Sequence, residues 1–235
     1  MAACIFLIET SSKVCSLAVV ENGKPVFERT DGGQSSHSAV SGVFAQEALR
    51  FLAGKKPDAI AVSEGPGSYT GLRIGVSLAK GLCYGLDVPL IAVPTLKIIA
   101  NSAVLNLQLS GIALNPSDIL IPMIDARRME VYTAVYASDL TEIEAAKPVI
   151  VDEQSFSNLP AGKKLFFGDG SDKCKTVIDL PDARFIEGVN PSAIAMAALA
   201  EEQFAAGDFV DVAYFEPFYL KEFQATSPKN KVFNS

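Results

Sequence analysis

The sequence predicts an α/β protein with two lobes, and three observations support this prediction. The chain has 235 residues, 49% hydrophobic and 20% charged, so it can bury a core and cannot be intrinsically disordered. Its first half follows the order β-β-β-α-β-α-β-α, which is typical of helices packed on a mixed sheet. Its second half opens on a similar hairpin pattern, shifted by 116 residues from Glu9 to Asp125. We therefore expect a first lobe over residues 1–110 and a smaller, acidic second lobe over residues 111–235.

The first half opens as a β-meander, in which apolar runs are separated by short turns. Apolar residues then recur at helical spacing, alternating with short continuous apolar runs that indicate strands buried on both faces. The predicted strands are 4–8, 14–20, 25–29, 59–62 and 89–93. The predicted helices are 36–52, 70–85 and one that starts at about residue 94.

The second half follows a softer stretch at residues 108–118 and repeats the opening hairpin. Any two hairpins with an acid at the end of the first strand look alike, so the repeat indicates either this general similarity or a duplicated fold. The Gly168-Asp169-Gly170 sequence is interpreted as a turn. The predicted strands are 119–124, 131–136, 148–151 and 164–167, and the predicted helix is 191–204.

Charge is distributed unevenly between the two halves. Residues 1–110 carry a net charge of +1 and residues 111–235 a net charge of −8, with a sequence pI near 4.8. Affinity for nucleic acids comes largely from basic groups that neutralise phosphates. We therefore expect this chain not to hold RNA or DNA by itself.

The cysteines and the single histidine exclude several kinds of site. The four cysteines are scattered without a C-x-x-C pair, which indicates reduced thiols in a cytoplasmic protein. The N-terminus has no basic region of a signal peptide, and no apolar run is long enough to span a bilayer. Zinc motifs and two-histidine iron sites need at least two imidazoles, and His37 is the only one in the chain.

A glycine-rich segment, Gly65-Pro66-Gly67-Ser68, lies between a buried strand and a helix. Backbone N–H groups in such a position can bind an anion. However, no Gly-Lys-Ser/Thr completes a Walker A loop, and Thr70 stands where a G-x-G-x-x-G pattern needs its last glycine. A tight turn, in which Pro66 fixes φ and Ser68 caps the helix, fits these residues better.

The helix predicted over residues 70–85 has two apolar faces, both of which must be covered. The sheet covers one face. The second is covered either by the neighbouring helix over 36–52 or by another protein chain, and the glycines beside it permit close approach. One stripe contains Leu72, Val76, Ala79 and Cys83, and the other contains Ile74, Leu78 and Leu82.

Two clusters combine carboxylates with polar neighbours. Glu9, followed by Thr10-Ser11-Ser12, is similar to the loop that holds a nucleotide phosphate and its magnesium in two-lobed ATPases, but it also fits a solvated turn. Asp125 with Arg127 and Arg128 fits an internal salt bridge or a solvated turn. Because no Ser/His/Asp or Cys/His set stands out, we predict no catalytic, cofactor-binding or metal-binding residues.

Four segments carry longer motifs: 8–11 with 15–18, 65–75, 124–132 and 216–220. Residues 65–75 read Gly-Pro-Gly-Ser-Tyr-Thr-Gly-Leu-Arg-Ile-Gly. In content and order, the four segments resemble the bacterial TsaB family, also called YeaZ and once labelled glycoprotease-like. Glu9 stands where that family usually has aspartate, which weakens a phosphate or magnesium role for the first hairpin.

The resemblance implies a two-lobed fold of the actin, sugar-kinase and heat-shock ATPase superfamily, with duplicated ribonuclease H-like lobes and a reduced second lobe. It also implies a non-catalytic subunit for threonylcarbamoylation of the adenosine next to the anticodon in tRNA. Such a subunit binds the catalytic paralogue TsaD, works beside the ATPase TsaE, and meets tRNA only through the complex.

The resemblance further implies that the helices over 36–52 and 70–85 form the interface used for homodimers and for TsaD. On this basis the expected interface residues are Val40, Phe44, Leu72, Val76 and Lys80.

Two other classes of function compete with this interpretation. A sugar-kinase-like enzyme that binds or hydrolyses a nucleotide would use Glu9 and the glycine-rich turn, and it would bind ATP as an isolated chain. A metallopeptidase, suggested by the older family label, is disfavoured by the single histidine.

Overall fold

A computed structural model describes residues 3–221, which form two five-stranded sheets and four α-helices. The first sheet contains β1 (Cys4–Glu9), β2 (Cys15–Glu21), β3 (Lys24–Asp31), β4 (Ala59–Gly65) and β5 (Leu90–Pro94). The second contains β6 (Ile119–Asp125), β7 (Glu130–Ala137), β8 (Glu142–Ile150), β9 (Lys164–Phe167) and β10 (Ala183–Ile186). The helices are α1 (His37–Phe51), α2 (Tyr69–Leu86), α3 (Thr95–Leu109) and α4 (Ala193–Ala206).

The two sheets have the same topology. The strand order is β3-β2-β1-β4-β5 in the first and β8-β7-β6-β9-β10 in the second. In each, the first three strands pair antiparallel and the last two join in parallel. The duplicated fold is therefore confirmed. The hairpins differ by one residue in register, since Glu9 lies opposite Ser16 whereas Asp125 lies opposite Val131.

The second lobe is reduced, as expected. The first lobe crosses from β3 to β4 through α1 and from β4 to β5 through α2. At the corresponding places the second lobe has an irregular segment and a short 3₁₀ turn at Asp172–Cys174.

Helix α3 lies between the two sheets, and helix α4 lies beside it on the first sheet. Leu96 and Ile99 of α3 pack with β6, β7 and β9, while Ile98 on the same helix packs with the first sheet. Helix α4, which the division near residue 110 assigns to the second lobe, packs on the first sheet against Ile5 and Leu7. The first part of α3, from Thr95 to Ala103, is thus buried between the lobes. No helix within residues 3–221 has the length and hydropathy of a membrane span.

Two edge strands differ from the sequence prediction. Strand β8 is Glu142–Ile150 rather than 148–151, and β10 (Ala183–Ile186) was not predicted. Edge strands are partly solvated and tolerate charged residues, so they lack the continuous apolar run that marked the buried strands. The edge position of both strands explains why hydrophobic pattern alone missed their extent.

The glycine-rich segment packs directly on the turn between β1 and β2. A Cβ atom on Gly71 would lie 2.1 Å from the Thr10 carbonyl oxygen, and one on Gly67 would lie 2.5 Å from the Ser11 carbonyl oxygen. The Ser68 amide donates to the Ser11 carbonyl at 2.7 Å, and its hydroxyl caps α2 by accepting from the Gly71 amide at 3.2 Å. The segment is therefore a tight structural turn, as its residues indicated.

The glycines of α2 fall into two groups, which gives a matched pair of variants. A Cβ on Gly75 would lie 2.1 Å from Thr10 Oγ1, an atom already held by its hydrogen bond to the Gly71 carbonyl, whereas Gly81 has nothing within 4 Å. We expect Gly75→Ala to lower the free energy of unfolding by about 1–3 kcal/mol through overpacking. Gly81→Ala should raise it by about 0.5–1 kcal/mol, because alanine is the better helix former. Urea denaturation of both variants checks the prediction, and equal effects would contradict it.

Candidate functional site

Three of the four motif segments meet at a cleft of about 720 Å³ between the lobes. The first wall is the β4–α2 turn with Pro66 and Tyr69, and the second is the turn of the β6–β7 hairpin. The third wall is residues 218–221, the end of the stretch 208–221 that is here called the C-terminal segment. The remaining motif, at residues 8–11, lies directly beneath the β4–α2 turn. Motifs far apart in sequence therefore form one continuous site.

The C-terminal segment connects the two lobes. Its Val210 amide donates to the Leu90 carbonyl at 2.9 Å, and its Phe218 amide donates to the Glu64 carbonyl at 2.7 Å. The contact at Phe218 is tight, because a Cβ on Gly65 would lie 2.4 Å from its carbonyl oxygen. Lys221 then pairs with Glu130 in the second lobe.

The hairpin turn of the second lobe presents two arginines. Arg127 and Arg128 both have positive φ values, 72° and 49°, a region that non-glycine residues rarely occupy. Neither forms a salt bridge with another residue in the part of the chain that the structure describes. Asp125 does form the predicted internal salt bridge, but with Lys173. Partial burial works to raise the pKa of Asp125, but the hydrogen bonds from Lys173 and the Arg127 amide, together with the charges of Lys173 and Lys13, outweigh it and lower that pKa.

Tyrosines line the cleft beside these arginines. The rings of Tyr69 and Tyr219 lie 4.9 Å apart, and the Arg73 guanidinium lies 4.7 Å from the centre of the Tyr69 ring. The Tyr219 hydroxyl is buried and has no hydrogen-bond partner among residues 3–221. Tyr132 on β7 is half-buried and lines the same cleft. These tyrosines were not predicted as site residues from the sequence, although Tyr132 and Tyr219 each stand inside a motif segment.

The polar side chains at the turn of the first hairpin are buried and hydrogen-bonded within the chain. Glu9 is fully buried, and its Oε1 accepts hydrogen bonds from the amide of Ser11, at 2.6 Å, and from its hydroxyl. The Thr10 hydroxyl donates to the Gly71 carbonyl at 2.9 Å. Burial raises the pKa of Glu9 to about 7, and the Ser11 hydrogen bonds offset this only in part. The interpretation of Glu9 as a solvated turn residue is therefore wrong.

The expected interface residues separate into two sets. Leu72, with 0% exposure, and Val76, with 4%, face the sheet and belong to the core, so they cannot touch another chain directly. The Lys80 ammonium donates to the carbonyls of Ala213, at 3.0 Å, and Phe215, at 3.1 Å. Val40 and Phe44 are half-buried on α1. The interface itself stays a prediction.

Helices α1 and α2 leave a groove of about 560 Å³ between them. Its lining includes Ser41 and Gly42 of α1 and Ile74, Ser77 and Leu78 of α2. The second apolar face of α2 is thus covered by α1 only in part, and Ile74 and Leu78 remain half-exposed. This groove is called the α1–α2 surface below.

The thiols and the histidine take structural positions. Burial raises the pKa of the Cys15 thiol to about 11 and that of Cys83 to about 12, so both are poor nucleophiles at neutral pH. His37 starts α1, after an N-cap at Ser36 whose side chain makes no capping hydrogen bond. No cluster of three or more His, Cys, Asp or Glu side chains suited to a metal ion occurs in residues 3–221.

These features define a class: two-lobed α/β proteins with duplicated sheets, a reduced second lobe and a closed first hairpin. Residues 33–200 match the family model described as "TsaD: tRNA N6-adenosine threonylcarbamoyltransferase". The Escherichia coli K12 "tRNA threonylcarbamoyladenosine biosynthesis protein TsaB" is 31% identical over 92% of this chain and 94% of that protein. The protein of the same name from Bacillus subtilis 168 is 30% identical over 92% and 93%.

A solved structure described as "YeaZ from Pseudomonas aeruginosa" has the same fold. It superposes with a TM-score of 0.78 at 23% identity, covering 93% of this chain and all of that one. The chain belongs to the TsaB (YeaZ) family.

The buried Glu9 should make stability depend on pH. Its pKa is raised from 4.5 to about 7 in the folded chain, so between these values the unfolded chain loses the proton that the folded chain keeps. Stability therefore falls as pH rises through this window, by about 3 kcal/mol in total. Glu9→Gln has no proton to lose and should remove this part of the pH dependence. Urea denaturation of parent and variant at about pH 5 and about pH 8 measures the difference. Parallel pH profiles would contradict the prediction.

Proposed function

We propose that the chain is a non-catalytic subunit required for threonylcarbamoylation of the adenosine next to the anticodon in tRNA. In this role it binds and supports a TsaD-type catalytic subunit in the cytoplasm, with a TsaE-like ATPase in the same complex. The observation that carries the proposal is the similarity over 92% of the chain to proteins named for tRNA threonylcarbamoyladenosine biosynthesis.

The first hairpin supports a role without catalysis. The groups that would hold a phosphate and its magnesium are used internally, because Ser11 bonds Glu9 and Thr10 bonds α2. The amide of Ser68 at the start of α2 is likewise engaged by the Ser11 carbonyl. The Thr10 and Ser11 hydroxyls and Glu9 Oε1 are therefore already hydrogen-bonded within the chain and do not face a ligand.

The α1–α2 surface supports binding of a partner. It is a groove with half-exposed apolar side chains at Ile74 and Leu78. Small residues at Gly42, Ser77 and Gly81 allow a second helix to approach closely. We propose that a TsaD-type subunit occupies this surface in the complex, and that a second copy occupies it when the chain is alone. None of the residues expected at the interface lines this groove: Val40 and Phe44 are half-buried elsewhere on α1, Leu72 and Val76 lie in the core, and Lys80 bonds the C-terminal segment.

Charges on this surface should weaken association without unfolding the chain. We expect the double variant Gly42→Glu with Ser77→Glu to lower affinity for the TsaD-type subunit at least about tenfold, because both positions line the groove and the interface would desolvate unpaired carboxylates. Leu109→Asp is the matched control, since Leu109 is an 87% exposed apolar residue on α3. Isothermal calorimetry measures binding, and analytical ultracentrifugation measures self-association. If the double variant and the control bind equally well, this surface is not the interface.

Reconstitution tests the proposed function as a whole. The TsaD-type and TsaE-type proteins of the same organism, with threonylcarbamoyl-AMP and tRNA, should modify tRNA only when this chain is added. Undiminished modification without the chain would exclude the proposed role.

Calorimetry with ATP and magnesium separates this role from the sugar-kinase-like alternative. A smaller pocket of about 300 Å³, lined in part by Ser12, Lys13 and Asp169, lies between the lobes and is the place where such an enzyme would hold its nucleotide. Tight binding of ATP by the isolated chain would favour the alternative.

A further inference from the structure

We infer that the 720 Å³ cleft between the lobes binds an unpaired nucleotide of single-stranded RNA, with Arg127 and Arg128 on the phosphate and Tyr132 and Tyr219 beside the base. The inference rests on the proposed function, because that function brings tRNA to the complex. It goes beyond it by giving this chain its own RNA contact.

The charge balance of the cleft favours an anion. Its two carboxylates are each paired, Asp125 with Lys173 and Glu130 with Lys221. Asp169 accepts a hydrogen bond from the Asp125 amide and does not line the cleft. The guanidinium groups of Arg127 and Arg128 therefore give the cleft two unbalanced positive charges in a chain whose net charge is −7. Guanidinium groups match phosphate geometry through pairs of N–H donors.

The backbone of the hairpin turn points to a function for these side chains. Arg127 and Arg128 have φ values of 72° and 49°, where glycine or asparagine would fit with less strain. Strained residues of this kind cluster at ligand-binding sites. The turn thus holds two arginines in a conformation that the fold alone would fill more easily with glycine.

The tyrosines that line the cleft would contact the base of the nucleotide. The half-buried Tyr132 and the Tyr219 ring line the cleft, and the buried Tyr219 hydroxyl has no partner in the part of the chain described. Aromatic rings stack unpaired bases, and a tyrosine hydroxyl can bond a base edge or ribose. The volume lies within the range of about 300–1,000 Å³ that is usual for small-ligand sites.

The first hairpin favours RNA over a magnesium nucleotide. Binding ATP in the manner of a two-lobed ATPase needs a free carboxylate and free hydroxyls, and Glu9, Thr10 and Ser11 are buried and internally bonded. Arginines and aromatic rings without that loop are the usual means of holding a single strand.

The test uses the full-length chain, alone and in complex with the TsaD-type subunit. The probe is a fluorescein-labelled single-stranded RNA of about ten nucleotides, measured by anisotropy over a range of salt concentrations. The variant is Arg127→Gly with Arg128→Gly, which removes both charges and relieves the backbone strain. Arg184→Ala is the matched control, because this exposed arginine on β10 bonds only nearby carbonyls among the described residues.

We expect the double variant to keep the parent melting temperature and to lose at least about tenfold in RNA affinity. Its slope of log K against log salt should fall by about 0.7, since the two arginines contact one phosphate and each phosphate contact on a single strand contributes about 0.7. Tyr132→Leu should weaken binding roughly tenfold at unchanged slope, because stacking is not ionic. The control should bind as the parent does.

Three results would overturn the inference: no RNA binding by the parent chain in either form, unchanged affinity of the double variant, or competition by AMP as effective as that by RNA of equal nucleotide concentration. The last result would assign the cleft to a free nucleotide. Reconstitution keeps the two proposals apart. If modification needs the chain but the double variant binds RNA normally, only this inference fails. If omitting the chain has no effect on modification, the proposed function fails, whatever the RNA measurement shows.

Discussion

The close packing of the β4–α2 segment against two other backbones is the constraint on which the rest of the structure depends. Gly67 and Gly71 admit the carbonyls of Ser11 and Thr10, and Gly65 admits the carbonyl of Phe218. A side chain at any of these positions would separate α2 from the β1–β2 turn, or the C-terminal segment from the first sheet. The glycine-rich motif is therefore a packing device, although it stands where many proteins bind phosphate.

The same packing decides which polar groups face a ligand. It draws Thr10 and Ser11 against α2 and buries Glu9, so the Thr10 hydroxyl and Glu9 Oε1 are hydrogen-bonded within the chain. It also carries Phe218 and Tyr219 to the boundary between the lobes, where they form a wall of the large cleft. One set of backbone contacts thus closes the first hairpin and shapes the cleft beside it.

Much of this architecture could be predicted from sequence, and what could not has a physical cause. The repeat at an offset of 116 residues predicted the duplicated sheets, because buried strands and their hairpins have strong apolar patterns in the sequence. Helical periodicity found both apolar stripes of α2 but could not tell which one faces its own sheet, and the structure shows that the stripe with Leu72 and Val76 does. The cleft escaped prediction because Arg127 and Tyr219 meet only through tertiary packing, and because a net charge of −7 conceals a local surplus of positive charge.

The two copies of the hairpin place equivalent carboxylates in different environments. Glu9 and Asp125 end equivalent strands, yet Glu9 is buried with a raised pKa, while Asp125 is exposed and paired with Lys173. In the first lobe a helix packs on the hairpin, and glycines make that contact possible. In the second lobe a short 3₁₀ turn follows β9 in place of an α-helix, and Lys173 in that turn pairs with Asp125. The turn of the hairpin lines the cleft with its arginines. The shorter connection therefore leaves Arg127 and Arg128 exposed at the cleft, whereas the corresponding turn in the first lobe is packed against α2.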